Sequence, residues 1–289
     1  MKPAPFKLHR PATIEEALTR LSTVAEEGGL ILAGGQSLVP MMALRVIYPP
    51  ALIDINAITG LERVVVDGQH LSIGATARHA FFHRAPIANP LGKLLAVVSR
   101  NIAHYPIRLR GTFCGSLAHA DPASEWCLVA ATLDGQVVLT ADGGRRRILP
   151  AAEYLRGAMV TAREPNELLA EARLPLLAAS ATFGFYEFNR RAGDFALGMC
   201  LTTFTIADGV ISNIRVGLGG IESSPRRLFA VEALLEGRPP SLEVFREAAA
   251  AADDDLNPME DPATSANYRR SLAPVVIRRA LETAVKNNH

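Results

Sequence analysis

Residues 198–218 read GMCLTTFTIADGVISNIRVGL. Two apolar, β-branched runs, Gly198 to Ala207 and Val210 to Leu218, flank the dipeptide Asp208-Gly209. Asp-Gly between two such runs signals a two-residue hairpin, because both central residues of that turn need positive φ. Thr182 to Asn189 is a third run just upstream. The C-terminal part of the chain therefore predicts three antiparallel strands. Helices are expected after them, over about Ser224 to Glu236, Leu242 to Ala252 and Asn267 to Lys286, the last with a kink at Pro274.

Moving upstream, Pro175 to Ser180 (PLLAAS) reads as a linker and sets a domain boundary near residue 177. The expected domains are residues 1–177 and 178–289, in keeping with about 150 residues per domain. Near the start, Thr13-x-x-Glu16 is a capping box, with Ile14, Ala17, Leu18 and Leu21 on one helical face and an end expected near Gly28-Gly29. Leu30 to Ala33 and Ala51 to Ile55 read as short buried strands. Arg63 to Asp67 with His70 to Gly74, and Gln136 to Thr140 with Arg145 to Leu149, read as hairpins. Ala80 to Phe82 and Leu91 to Ser99 read as helical, and Leu168 to Leu174 as a strand. Strands and helices interleave without regular βαβ alternation, which predicts an α+β fold.

Composition narrows the function. Thirty Lys and Arg against 29 Asp and Glu leave a net charge of +1, so nothing electrostatic points to nucleic acid or an anionic membrane. The 49% hydrophobic content supports a sizeable core, yet no run approaches the ~20 apolar residues of a membrane span. The first residues lack the apolar stretch of a secretory signal. Cys114, Cys127 and Cys200 are scattered and read as free thiols of a cytoplasmic protein.

Three segments have residue types suited to ligand chemistry. Leu32-Ala33-Gly34-Gly35-Gln36-Ser37-Leu38 follows a buried strand. Its glycines let backbone approach a ligand and turn successive N–H groups toward a phosphate, although the same residues also suit an ordinary strand-to-helix turn. Arg110-Gly111-Thr112-Phe113-Cys114-Gly115-Ser116-Leu117-Ala118-His119-Ala120-Asp121-Pro122, with Glu125 beyond, offers first backbone and hydroxyl donors, then carboxylates suited to a ribose. It equally fits a surface loop leading into a helix capped after Pro122. Two such segments in one domain point to a diphosphate held from both sides. Neither the G-x-G-x-x-G nor the G-x-x-x-x-G-K-[ST] pattern is present. Arg190-Arg191-Ala192-Gly193-Asp194-Phe195-Ala196 supplies cations and a ring able to stack, or simply a polar turn and a core Phe. His104, His119, Asp121 and Glu125 have no metal-ligand spacing. Arg145-Arg146-Arg147, Arg226-Arg227 and Arg269-Arg270 read as solvated charge.

At these segments the chain resembles the FAD-binding medium subunits of molybdenum hydroxylases, the carbon monoxide dehydrogenase and xanthine dehydrogenase group. Ala33-Gly34-Gly35-Gln36-Ser37-Leu38 is similar to the family's A-G-G-[QH]-S-L, and Arg110 to Pro122 to its R-G-T-I-G-G-S-L-A-H-A-D-P. Arg190 to Ala196 resembles the turn opening its C-terminal domain. Val216-Gly217-Leu218-Gly219-Gly220 with Pro225-Arg226 resembles a later segment of that domain.

The resemblance implies a two-lobed FAD-binding domain of the vanillyl-alcohol oxidase type, then a smaller α+β domain with a three-stranded antiparallel sheet. It implies noncovalent FAD, with molybdopterin on a large partner subunit, [2Fe–2S] clusters on a small one, and a dimer of heterotrimers. The chain would pass electrons from those clusters to an external acceptor. Leu32, Ala33, Gly34, Gly35, Gln36, Ser37 and Leu38, with Thr112, Cys114, Gly115 and Ser116, would wrap the diphosphate. Ala118, His119 and Asp121 would lie along the nucleotide, Glu125 by the adenosine ribose, and Leu169 and Phe195 by the isoalloxazine. No residue is expected to act as a catalytic acid or base, and none as a metal ligand.

The chain departs from the family at Cys114, where a Gly is usual, at Phe113, and at Pro106 and Leu109 upstream. A side chain at 114 either crowds the diphosphate or occupies a position with no need for positive φ. Two other readings stay open: a free-standing flavin oxidoreductase of the same fold, and a non-redox scaffold that has lost tight FAD binding.

Overall fold

The computed structural model describes residues 2–262 and 264–287. The chain begins with β1 (Lys7–His9), α1 (Ile14–Val24), β2 (Leu30–Leu32), α2 (Leu38–Ala43) and β3 (Ala51–Asp54). β3 lies between β1 and β2 and pairs in parallel with both. Thr13 caps α1 by accepting from the Glu16 amide, and the Glu16 carboxylate accepts from the Ala12 amide. Ala17, Leu18 and Leu21 pack on Ile53 and Ile55, closing a small core. The helix stops at Val24, short of the glycine pair, because a turn reaching Gly28 at φ +87 intervenes.

The second lobe contains β4 (Val64–Asp67), β5 (His70–Gly74), a 3₁₀ turn (His79–His83), α3 (Pro90–Ser99), α4 (Tyr105–Arg108), α5 (Phe113–His119) and α6 (Glu125–Thr132). After these come β6 (Gln136–Thr140), β7 (Arg146–Pro150), α7 (Ala151–Tyr154), β8 (Leu155–Gly157), β9 (Val160–Thr161) and β10 (Leu168–Pro175). Five antiparallel strands line up as β4-β5-β10-β6-β7. Both expected hairpins form the flanks of this sheet. β10 is its centre and carries a bulge between Leu169 and Glu171, where Ala170 instead accepts from the Ala75 amide. Trp126, Phe82 and Phe113 cluster beneath α5 and α6, with ring centroids 4.8 to 5.8 Å apart.

The third part is β11 (Thr182–Phe188), β12 (Gly198–Ala207), β13 (Val210–Gly219), β14 (Arg226–Arg227), α8 (Phe229–Leu235), α9 (Leu242–Ala250) and α10 (Ala266–Lys286). Asp208 and Gly209 adopt φ of 51° and 77°, the turn that the dipeptide signalled. The sheet has four strands rather than three, because Arg226 and Arg227 pair with Leu218 and Gly217 at its edge. That pairing delays α8 to Phe229, and Ser224, which precedes Pro225, stays outside the helix. α10 continues through Pro274 as one helix.

Alternate residues of β12 serve different cores. Met199 and Leu201 join the α3 and α6 core, while Cys200 faces the α9–α10 layer. The C-terminal sheet is thereby welded to the second lobe on one face and to its own helices on the other.

Three arginines read as solvated charge are structural. Arg147 forms a bidentate pair with Glu167, whose side chain is buried. Arg227 pairs with the buried Glu232 and with Asp134. Arg269 is itself buried and donates to the carbonyls of Leu197 and Gly220. Among the described residues no helix is long and apolar enough to cross a membrane.

Candidate functional site

The two glycine-rich segments meet. A Cβ on Gly34 would stand 2.5 Å from the Arg110 carbonyl oxygen and 2.7 Å from Gly111 Cα, so only glycine permits this backbone approach. Asn56, in the turn after β3, ties the segments together. Its Nδ2 donates to the Ala33 carbonyl at 2.8 Å, and its Oδ1 accepts from Arg78 Nη2 at 2.6 Å. Arg78 Nη1 in turn donates to the Arg110 carbonyl.

Beside this junction lies a cleft of about 490 Å³. It is lined by Ala33, Gly34, Gly35, Gln36, Ser37 and Leu38 on one side and by Thr112, Cys114, Gly115, Ser116, Ala118, His119, Asp121 and Glu125 on the other. Leu169 forms part of its back wall, and Phe195, 73% exposed, stands at its rim. Leu32 does not line it. That residue ends β2 opposite Asp54, and its Cδ1 packs on Gly35.

The first segment leaves donors free. Gly35 turns the chain at φ +72, and among the described residues nothing accepts from the amides of Gly34, Gly35, Gln36 or Ser37. Ser37 precedes α2 without capping it through its side chain. Gly34 is buried and Gly35 and Gln36 half-buried, and such amides without acceptors are the usual mark of an anion cradle.

The second segment is not the loop its glycines suggest. Residues 113–119 form α5, capped by Thr112, whose hydroxyl accepts from the Gly115 amide at 3.0 Å. A Cβ on Gly115 would come 2.6 Å from that hydroxyl. Cys114 points away from the cleft. Its thiol is buried and donates to the Ile73 carbonyl of β5, and burial raises its pKa above the ordinary thiol range. No positive φ is needed at 114, so the departure from glycine does not crowd the cleft. α5 ends at Ala120 with φ 53°, and Asp121 then accepts from the Ala123 amide. Ser124 caps α6 and brings Glu125 into the first turn.

Electrostatics divide the cleft. Burial, reinforced by the nearby Glu187 and Asp121 carboxyls, drives the Glu125 pKa well above the usual carboxylate range. Burial likewise lifts Glu187 to about 7, against the stabilising hydrogen bond from Asn189 at 3.0 Å. On the back wall, burial would raise Glu167, but Arg147 and the Glu164 amide hold it below its ordinary value. Burial, with Arg78 and Arg108 nearby, pushes His79 down to about 3, leaving a neutral imidazole on the cleft wall.

Sequence reading missed Asn56, Arg78 and His79. No local signal marked them, because they lie far in sequence from both glycine segments. His104, one of the four residues without metal-ligand spacing, packs on the turn carrying Phe195, with its Cε1 2.5 Å from where a Gly193 Cβ would stand. Among the described residues no group of three or more His, Cys, Asp or Glu is placed to hold a metal ion.

Known proteins share this architecture. Residues 4–177 match the family model described as the FAD binding domain in molybdopterin dehydrogenase, and residues 183–284 the CO dehydrogenase flavoprotein C-terminal domain. The nicotine 6-hydroxylase medium subunit of Paenarthrobacter nicotinovorans is 35% identical over 284 residues, covering 98% of this chain and 99% of that one. A chain of carbon monoxide dehydrogenase from Hydrogenophaga pseudoflava superposes with a TM-score of 0.94 at 33% identity, covering 99% of each chain. One of quinoline 2-oxidoreductase from Pseudomonas putida 86 gives 0.93 at 30%, covering 100% of each. With matches spanning its whole length and a free-amide cradle at the junction of its glycine segments, the chain belongs to the FAD-binding medium subunits of the carbon monoxide dehydrogenase and molybdenum hydroxylase family.

Proposed function

We propose that this chain is the FAD-carrying electron-transfer subunit of a cytoplasmic molybdenum hydroxylase. A large molybdopterin subunit oxidises the organic substrate, and a small subunit with [2Fe–2S] clusters relays the electrons here. The complex is a dimer of such heterotrimers. Residues 1–177 form the two-lobed domain of the vanillyl-alcohol oxidase type, and residues 178–289 the C-terminal domain.

The observation that carries this reading is the row of unpartnered amides from Gly34 to Ser37, facing α5 across a cleft large enough for a cofactor. Those amides, with the Ser37 and Ser116 hydroxyls, hold the diphosphate. Ala118, His119 and Asp121 lie along the nucleotide. Glu125 meets the adenosine ribose, whose hydroxyls would give its half-buried carboxyl hydrogen-bond partners. Leu169 supports one face of the isoalloxazine, and Phe195 shields the edge open to solvent. When bound, FAD supplies a ring able to take up electrons singly and release them singly or in pairs. The protein binds, orients and desolvates that ring.

Cys114 was the one residue that favoured a scaffold without flavin, and its inward orientation removes that motive. The free-standing oxidoreductase is separated from the proposed role by anaerobic reduction. The complex co-expressed with its partner subunits should bleach on adding the organic substrate, while the isolated flavin-loaded chain should not. Bleaching of the isolated chain by that substrate would overturn the proposal.

A further inference from the structure

The imidazole of His79 sits at the junction of the two glycine segments. Trp126 Nε1–H donates to His79 Nδ1 at 2.9 Å, and both side chains are buried. An acceptor at Nδ1 puts the ring proton on Nε2. That nitrogen occupies the space a Gly111 Cβ would fill, 2.5 Å from its ideal position, and Gly111 is the residue against which Gly34 packs. The His79 amide also donates to the Gly111 carbonyl, fixing the ring relative to the segment. Among the described residues Nε2 has no hydrogen-bond partner, and it is not fully enclosed. Its N–H is therefore a free donor on the wall of the cleft that Gly34 to Ser37 also line.

Resting on the reading that this cleft holds FAD, we propose that His79 is a diphosphate-binding residue, donating Nε2–H to a phosphate oxygen, with Trp126 as the positioning residue that locks the tautomer. The donor is neutral. Burial opposes protonation of the ring, and the nearby charges of Arg78 and Arg108 oppose it further. A neutral, orientation-locked donor keeps its hydrogen bond across the physiological pH range, where an ordinary histidine would change charge. The glycine at 111 is then required for the ring as much as for the backbone.

The test uses the full chain stripped of flavin and titrated with FAD, followed by flavin fluorescence and by the phosphorus resonances of the bound diphosphate. His79→Phe should weaken binding about ten- to hundredfold, as expected for losing a hydrogen bond to a charged acceptor, and shift a phosphorus resonance. His79→Gln, which keeps a donor near the Nε2 position, should recover much of the affinity. In Trp126→Phe the imidazole nitrogen resonances of His79 should lose the single-tautomer pattern of the parent chain. Gly34→Ala is the control for the cleft itself. If Gly34→Ala loses FAD while His79→Phe binds with unchanged affinity and phosphorus resonances, the cleft assignment stands and the His79 proposal is wrong. If both variants bind FAD like the parent, the cleft assignment falls and takes the proposal with it.

Discussion

The two glycine-rich segments touch, yet they use glycine for different reasons. In Ala33–Ser37 the chain is open, Gly35 supplies a positive φ, and among the described residues the amides of Gly34 to Ser37 have no acceptor. In Gly111–His119 no residue has positive φ; the chain is a capped helix, and its glycines make room for neighbours. Gly111 accommodates the His79 ring and Gly115 the Thr112 hydroxyl. The first segment is a cradle made by leaving hydrogen bonds unmade. The second is a rigid wall, held by Phe113 and Leu117 in the core. A rigid wall tolerates side chains on its buried side, which is why Cys114 fits there.

The sharpest way to break this comparison is to separate the segments. Gly34→Ala places a Cβ against backbone atoms that cannot rotate away, so the segments must part. Overpacking of this kind costs up to about 3 kcal/mol, roughly a hundredfold in affinity. FAD titration of the variant chain should show a loss of that order. Next in size is Asn56→Ala, which leaves the Ala33 carbonyl and Arg78 Nη2 without a partner. A loss of about 1–3 kcal/mol in FAD binding is expected, roughly five- to 150-fold. If calorimetry finds affinity intact, the clamp does not position the cradle.

Cys114→Gly tests the wall. It restores the residue usual in the resembling motif, but it empties a buried pocket and places glycine within a helix. Urea unfolding should reveal a loss of about 2 kcal/mol. FAD affinity should remain that of the parent, because the thiol faces Ile73. Tighter flavin binding in this variant would mean that Cys114 crowds the diphosphate after all.

A smaller effect concerns the carboxyls beyond the wall. Glu187 has a folded pKa of about 7 against an ordinary 4.5, so the folded chain holds that proton more tightly than the unfolded chain. Its contribution is therefore present below about pH 4.5 and lost as pH rises through 7. Glu125 is shifted in the same direction. The melting temperature of the flavin-free chain should decline across that window, and Glu187→Gln should flatten the decline. An unchanged slope in the variant would assign the titration elsewhere.

The sequence carried local features well. The Thr13 cap, the Asp208-Gly209 turn and the strand Gly198–Ala207 each follow from residues adjacent in the chain. The cleft wall was also legible, since motif residues from Ala33 to Leu38 and from Thr112 to Glu125 do converge. α5 was not, because Gly115 argues against a helix that burial of Phe113 and Leu117 nevertheless holds together. The Asn56–Arg78 clamp and the His79–Trp126 pair join residues 22 and 47 positions apart. Such contacts leave no periodicity to read. Arg147 and Arg269 were misjudged for the same reason, since their partners lie on other elements.

The most direct test of the central claim is a structure of the full chain with FAD. The account predicts the diphosphate against the Gly34 to Ser37 amides, across from Ser116, with no acid release needed beyond denaturation to free the intact cofactor. A chain that binds FAD with its diphosphate elsewhere, or that binds none when folded, would contradict it.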